Sequence, residues 1–356
     1  MKITSIEVRR ISIPLRKPFR IQLAEVSAKD HVVVKVHTDE GIIGLGEIAP
    51  LPQFAGEAGE PMSVLLEKYL VPSVIGKDPI KIGQIINAMD AVVEGNPLAK
   101  SVIDFAVHDI AAKAMKVSLC DLLGGRNLTA IPLCWVLGIG DAQQIIRDVL
   151  QKMEEGYQCF KLKAGLAPQE DIERLRLLRE AVGDKIHIRV DANQGYTVRE
   201  AVSTINKMAP YNPQYVEQPV SRWNIDGIAQ VSHSVSVPIM ADECIFSLQN
   251  LLEVVRKRAA DIINIKVGKL GGLYRSRQAL SIAAAEELPC MIGSMLEGGI
   301  GTAAGAHFAS SITDKLYECE LIGPLFYKHD ILKNDLEYQD GKLIVPQGPG
   351  LGVDLA

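Results

Sequence analysis

The sequence predicts an α/β protein in which a (β/α) barrel follows a separate α+β domain. Two observations predict it. Over residues 1–125 strand-like runs come first and helical runs follow, whereas from about Ala130 strands and helices alternate. Single charged residues also close five successive strand runs at intervals of 24 to 28 residues, about one βα unit each. Barrel enzymes build their sites at that end of their strands.

The elements follow in chain order. Ile3–Pro14 reads as a strand, Asp30–Thr38 as a second and Gly41–Glu47 as a third, with a hairpin signal at Asp39-Glu40-Gly41. Helical patterns cover Pro61–Leu70, Lys81–Val93 and Ala99–Met115, the last stopping before Leu123-Gly124-Gly125. Barrel strands are expected at Ile131–Leu137, Cys159–Ala164, His187–Asp191, Tyr215–Glu217, Pro238–Asp242, Ile262–Val267, Cys290–Met295 and Leu316–Leu321. Amphipathic stretches such as Pro168–Val182 and Leu248–Ala259 separate them. An open doubly wound sheet is the competing topology, but it wants a glycine-rich phosphate turn that Gly138-Ile139-Gly140 does not complete. Lys342–Pro346 is strand-like again, so the tail is expected to return to the first domain. The expected division is residues 1–125, 126–323 and 324–356.

Composition excludes several classes. The 356 residues are 47% hydrophobic, enough for a large core, and carry a formal charge of −5 with no dense basic run. Nucleic acid is therefore not expected as a partner. The most apolar stretch, from Pro289, is broken by Glu297 and glycines, and the N-terminus alternates like a strand, so neither a membrane span nor a signal peptide is expected. The six cysteines are scattered without CxxC spacing. Buried reduced thiols in a cytoplasmic protein are expected, rather than a zinc site or a disulfide framework.

The strand-end charges carry the chemistry. Lys161 and Lys163 alternate on one strand and so point to the same side. Asp191, Glu217 and Asp242 close the next three strands, and Lys266 the sixth. Three carboxylates without histidine or cysteine suit a hard cation such as Mg²⁺, with Mn²⁺ as a substitute. Lys163 and Lys266 lie on opposite sides of that cluster. Near a cation and another lysine their pKa is expected to fall, which suits them as bases. Lys161 adds positive charge beside Lys163 and attracts a substrate carboxylate. The reaction implied is proton transfer at the carbon α to a carboxylate, with the enolate stabilised electrostatically.

Lys161-x-Lys163, Asp191-Ala192-Asn193, Glu217-Gln218-Pro219, Asp242-Glu243 and Asn264-Ile265-Lys266 together resemble the enolase superfamily, in its muconate-lactonizing-enzyme subgroup. Lys17-Pro18-Phe19, Gly44-x-Gly46-Glu47 and Met295-Leu296-Glu297-Gly298 extend the resemblance over nearly the whole chain. It implies a modified TIM barrel, (β/α)₇β, beneath an α+β capping domain. It also implies Mg²⁺ on Asp191, Glu217 and Asp242, acid/base roles for Lys163 and Lys266, Asn193 at the metal region, Glu297 on the substrate side and homo-oligomerisation.

Two activities fit the resemblance. Gln218-Pro219-Val220-Ser221-Arg222 and Glu320-Leu321-Ile322-Gly323-Pro324 look like muconate cycloisomerases, whereas the Lys17–Val26 stretch and Asp191-Ala192-Asn193-Gln194-Gly195-Tyr196 look equally like dipeptide epimerases. Dipeptide epimerases resemble one another in an Asp-x-Asp pair that holds a substrate ammonium, and here Glu320-Leu321-Ile322 stands in that place. A Glu318/Glu320 pair is the alternative if the register shifts by two. The lead expectation is a cycloisomerase, with an epimerase or racemase of dipeptides or N-acyl amino acids as the alternative. By the same resemblance, cap loops near Arg16–Val26 and Pro50–Glu60 set specificity through Phe19, Arg20, Ile21, Phe54 and Glu57. Arg20 would favour a second anionic group on the substrate. His108, His187 and His307 read as structural, and Trp135 as a pocket or barrel filler.

Overall fold

A computed structural model describes every residue except 21, 23, 24, 314 and 315. Ile21 therefore lies outside the described residues. The strands β1 (Ile3–Arg20), β2 (Glu25–Thr38) and β3 (Ile43–Ile48) form an antiparallel meander. The helix Pro97–Met115 packs on it and is buried at every residue from Leu98 to Ala112. Its sequence is apolar around most of its circumference, the pattern of a helix covered on all sides. The sheet also packs against the helix Gly59–Leu65, which continues as helical turns to Val74.

Gly44-x-Gly46 explains how closely this helix approaches. A Cβ on Gly46 would stand 1.8 Å from the Val102 carbonyl oxygen, and one on Gly44 2.1 Å from that of Ala106. Gly46→Ala is expected to destabilise the protein by roughly 3 kcal/mol, the upper end of overpacking costs, because backbone rather than a yielding side chain is in the way. Urea denaturation measures it; an unchanged midpoint would show that the seam is plastic.

β4 (Ala130–Pro132) leads into the barrel, whose strands are β5 (Trp135–Leu137), β6 (Cys159–Lys163), β7 (His187–Asp191), β8 (Val216–Glu217), β9 (Ile239–Ala241), β10 (Ile262–Ile265) and β11 (Cys290–Ile292). They are all parallel and paired in sequence order. Two sequence expectations need correction. The run Ile131–Leu137 is not one strand, because β4 turns away to pair with the tail while β5 enters the barrel. The run Leu316–Leu321 makes only single parallel bridges, Leu316 to Cys290 and Cys319 to Leu133. It closes the ring nonetheless: Tyr317 N donates to Cys290 O, Glu320 N to Ile292 O and Cys134 N to Cys319 O, each at 2.8–2.9 Å.

Helices cover the barrel through apolar faces at helical spacing. Ala201, Thr204, Ile205 and Met208 are the buried residues of Val198–Met208, which starts at a Thr197/Glu200 capping box. The floor holds the wholly buried Arg189, paired with Gln214 and Glu318. β12 (Tyr338–Gln339) and β13 (Lys342–Ile344) form a hairpin on β4. The tail meets the first domain where Lys328 N donates to Pro14 O and Gly350 N to Val117 O. All six cysteines are buried. Among the described residues no helix is long and apolar enough to cross a membrane.

Candidate active site

The functional side chains emerge at the C-terminal ends of the parallel strands, beneath the cap. β6 ends on Lys163, β7 on Asp191 and β8 on Glu217, and the register sets Lys163 beside Asp191 and Asp191 beside Glu217. Asp242 directly follows β9 and Lys266 directly follows β10. β6 and β10 are four strands apart in a ring closed by an eighth segment. Lys163 and Lys266 therefore approach one cavity from opposite sides, and both line it.

Carboxylates and ammoniums alternate through the cluster. Lys163 Nζ donates to Asp191 Oδ2 (2.6 Å) and Asn193 Oδ1 (2.9 Å). Lys161 Nζ lies 3.0 Å from Glu217 Oε2, 3.2 Å from Asp191 Oδ2 and 2.5 Å from Glu320 Oε1. Lys266 Nζ donates to Asp242 Oδ2 at 2.7 Å and stands 4.3 Å from the centre of the Phe54 ring. Asn193 sits in a left-handed conformation at φ 41°, its N–H on Asp191 Oδ1 and its amide on Glu243 Oε1.

Burial and charge shape the titration. Burial, with Asp191, Glu320 and Asp242 adding, pushes Glu217 up to about 8 despite Lys161. Burial and the neighbouring Asp242 carboxylate push Glu243 up to about 7. Burial works against the charge of Lys266, but Asp242 outweighs it and holds the ammonium above its ordinary value. Lys161 is raised in the same way, by Glu217 and Glu320 against burial. In the protein alone, direct contact with Asp242 therefore sets the direction at Lys266, whereas the fall expected from sequence depends on a cation beside it.

The donor set fits a hard divalent cation. It comprises three buried carboxylates from neighbouring strands, all oxygen. Two further buried oxygens close by, Glu243 Oε2 and Asn264 Oδ1, have no hydrogen-bond partner in the protein. Among the described residues no three acidic, histidine or cysteine side chains form a ready-made metal pocket. The lysines lie between the carboxylates, so a cation bound there competes with the lysine contacts.

The expected substrate contacts divide. Phe19, Phe54 and Asn193 line the cavity with Lys161, Lys163, Lys266 and Glu320. Arg20 does not; it is exposed on a neighbouring cleft with Arg16, Lys17 and Trp135, because β1 runs past the cavity there. Glu297 turns inward on its own loop, accepting from Ser294 Oγ (2.5 Å) and Met295 N (3.0 Å), and so shapes the wall that Ser294, Met295 and Leu296 present. Glu57 does not line the cavity: its oxygens accept the N–H groups of Leu98 and Ala99 and cap the helix Pro97–Met115. Glu318 lies on the barrel floor with His187 and Arg189, which removes the shifted Glu318/Glu320 pair. Trp135 stacks on Phe326 at 5.4 Å.

Sequence reasoning missed Lys269, Gln218 and Lys29. Lys269 is fully buried with Nζ 2.6 Å from Asp242 Oδ1. Gln218 Oε1 accepts from Asp242 N and Cys244 N and so fixes the turn that presents Asp242. Lys29 lines the cavity from the cap. The polar residues just past Glu217 and Lys266 signalled the first two; nothing adjacent in sequence signalled Lys29.

Family models agree with this geometry. The mandelate racemase / muconate lactonizing enzyme N-terminal domain matches residues 3–124, and the enolase C-terminal domain-like family matches residues 144–356. The chain belongs to the enolase superfamily. Over its full length this superfamily member is 36% identical to a chloromuconate cycloisomerase of Cupriavidus necator, covering 97% of it. It is 35% identical to an N-succinyl-L-Arg/Lys racemase of Bacillus cereus. The crystal structure of that racemase superposes with a TM-score of 0.97, over 100% of this chain and 96% of the other. A dipeptide epimerase from Cytophaga hutchinsonii, solved with Mg and D-Ala-L-Val, matches at 31% identity and TM-score 0.96, over 100% of this chain and 96% of the other. These relatives are isomerases, racemases and epimerases, and the present chain is an isomerase of their superfamily.

Proposed function

We propose that the chain is a Mg²⁺-dependent cycloisomerase of the muconate type, acting on a small dicarboxylate. One observation carries the choice. Glu320 is the carboxylate on the closing segment that lines the cavity, and Lys161 already neutralises it at 2.5 Å. Ile322, two residues on, lines the same cavity where a dipeptide epimerase resembles its relatives in a second carboxylate. A free substrate ammonium finds no spare anion there, whereas a carboxylate meets several ammoniums.

Asp191, Glu217 and Asp242 would hold the Mg²⁺, which when bound would supply Lewis-acid charge for the electron density that builds up on the substrate carboxylate. The protein does the rest. Phe19, Phe54 and Met295 exclude water. One substrate carboxylate adds to the conjugated chain, a C–O bond forms, and the electron pair moves to the carbon α to the other carboxylate. An ammonium, Lys163 or Lys266, delivers its proton to that carbon, and the neutral lysine left behind takes a proton from solvent before the next turnover; in the reverse reaction the same lysine removes the proton.

Two opposed lysines also suit removal of a proton from one face and its return to the other. The racemase similarity favours that second reading, with N-succinylamino acids as substrates. The test incubates the protein and Mg²⁺ with cis,cis-muconate, following loss of ultraviolet absorbance. In parallel, N-succinylamino acids and dipeptides are incubated in D₂O and read by mass. Muconate loss without exchange of the amino-acid panel supports the lead reading. Deuterium in the N-succinyl substrates, with muconate untouched, selects the second.

A further inference from the structure

Lys29 sits on β2 and is 5% exposed. Alternation along the strand puts Lys29, His31 and Val33 on the face turned toward the barrel, and Val33 packs with the barrel core while Val32 and Val34 pack inside the cap. The ammonium donates to the carbonyl oxygen of Ala49 at 3.0 Å and to that of Met295. Both partners are neutral, and an ammonium has three donors. Among the described residues no carboxylate stands within ion-pair distance. Glu297 and Glu47 act on it only from farther away, and Lys266 is near enough to repel it. Burial, with Lys266 adding, pulls its pKa down to about 8, so it is still cationic at neutral pH.

A buried cation without a counter-charge is expensive unless an anion arrives. Lys29 shares its cavity with Lys161, Lys163 and Lys266, and Val26, Leu51, Phe54 and Met295 give the same cavity apolar lining. The barrel-end lysines and carboxylates serve one carboxylate at the reacting carbon. Lys29 belongs to the opposite wall, contributed by the cap. We infer that Lys29 is a specificity-determining residue that receives the second carboxylate of a dicarboxylate substrate, on the cap side of the cavity. This rests on the proposed reaction for its first carboxylate, and it assigns to Lys29 the role that sequence reasoning gave to Arg20.

Binding of two unreactive probes tests it apart from turnover. Adipate and hexanoate have the same chain length and differ by one carboxylate. With Mg²⁺ present, the wild-type protein is expected to bind adipate at least 10-fold more tightly, by calorimetry. Lys29→Met and Lys29→Gln should abolish that preference while leaving hexanoate affinity unchanged. Gln keeps a donor for the two carbonyls, so a folded, thermally intact Lys29→Gln guards against a merely structural loss. An undiminished adipate preference in Lys29→Gln, or none in the wild type, overturns the inference. Failure of every substrate in the turnover panel would sink the proposed activity alone, since the adipate comparison needs no chemistry.

Discussion

Lys163→Ala and Lys266→Ala are each expected to lower turnover by about 10²–10⁴-fold, the usual contribution of a positioned acid or base. Both ammoniums line the cavity, and each is held by a carboxylate at 2.6–2.7 Å that aims it. The pattern of loss separates the two readings. A cycloisomerase needs proton delivery on one face, so one lysine is essential and the other contributes charge. A racemase needs both, yet each single variant should still exchange the α-proton of one enantiomer in D₂O, because the remaining lysine serves one face. Mass spectrometry of each enantiomer reads this directly. If both variants kept full turnover, neither lysine would transfer the proton. Truncation also leaves Asp191 or Asp242 short of a partner, so far-ultraviolet circular dichroism must accompany the kinetics.

The barrel and its charged strand ends were legible because parallel strands are buried on both faces. A lone Asp, Glu or Lys in such a run has no solvent to explain it, and βα spacing then aligns the exceptions. Lys163, Asp191, Glu217, Asp242 and Lys266 all stand out on that ground. What failed depended on contacts between distant segments. Glu57 looked like a loop contact because its partners, the N–H groups of Leu98 and Ala99, lie about 40 residues on. Arg20 and Lys29 are both basic residues near the first hairpin, and only the path of β1 past the cavity and the pleat of β2 decide which one enters. The expected strand Asp30–Thr38 began one residue after Lys29, so its place in the alternation was hidden. The closing segment near Cys319 was overread for a similar reason. Its apolar pattern matches a strand, while its pairing reduces to two bridges.

Glu47→Gln is expected to destabilise the protein by about 3 kcal/mol, although it removes no volume. Glu47 is the last residue but one of β3 and is fully buried. Its Oε1 accepts from Gly298 N at 2.9 Å and lies 2.7 Å from His31 Nδ1, and its Oε2 accepts from Gly301 N at 2.7 Å. Gly298 and Gly301 lie at the start of the helix Gly299–Ser310, so one cap carboxylate satisfies the free N–H groups of a barrel helix and benefits from its dipole. In Gln one oxygen becomes an NH₂ group. Whichever way the amide turns, a donor then faces a donor, and at least one buried N–H loses its partner. An unmet buried donor costs about 1–3 kcal/mol, and the lost bonds were of the stronger, charge-assisted kind. Urea denaturation at constant slope measures the loss, and a midpoint within error of wild type would show that the latch holds nothing. The consequence reaches the active site. The helix begins directly after the Ser294–Leu296 wall of the cavity, and Met295 O also holds Lys29. Loosening Glu47 should therefore raise KM more than it lowers kcat, because the wall and the cap residue that meet the far end of the substrate move while the lysines on β6 and after β10 stay where their strands place them.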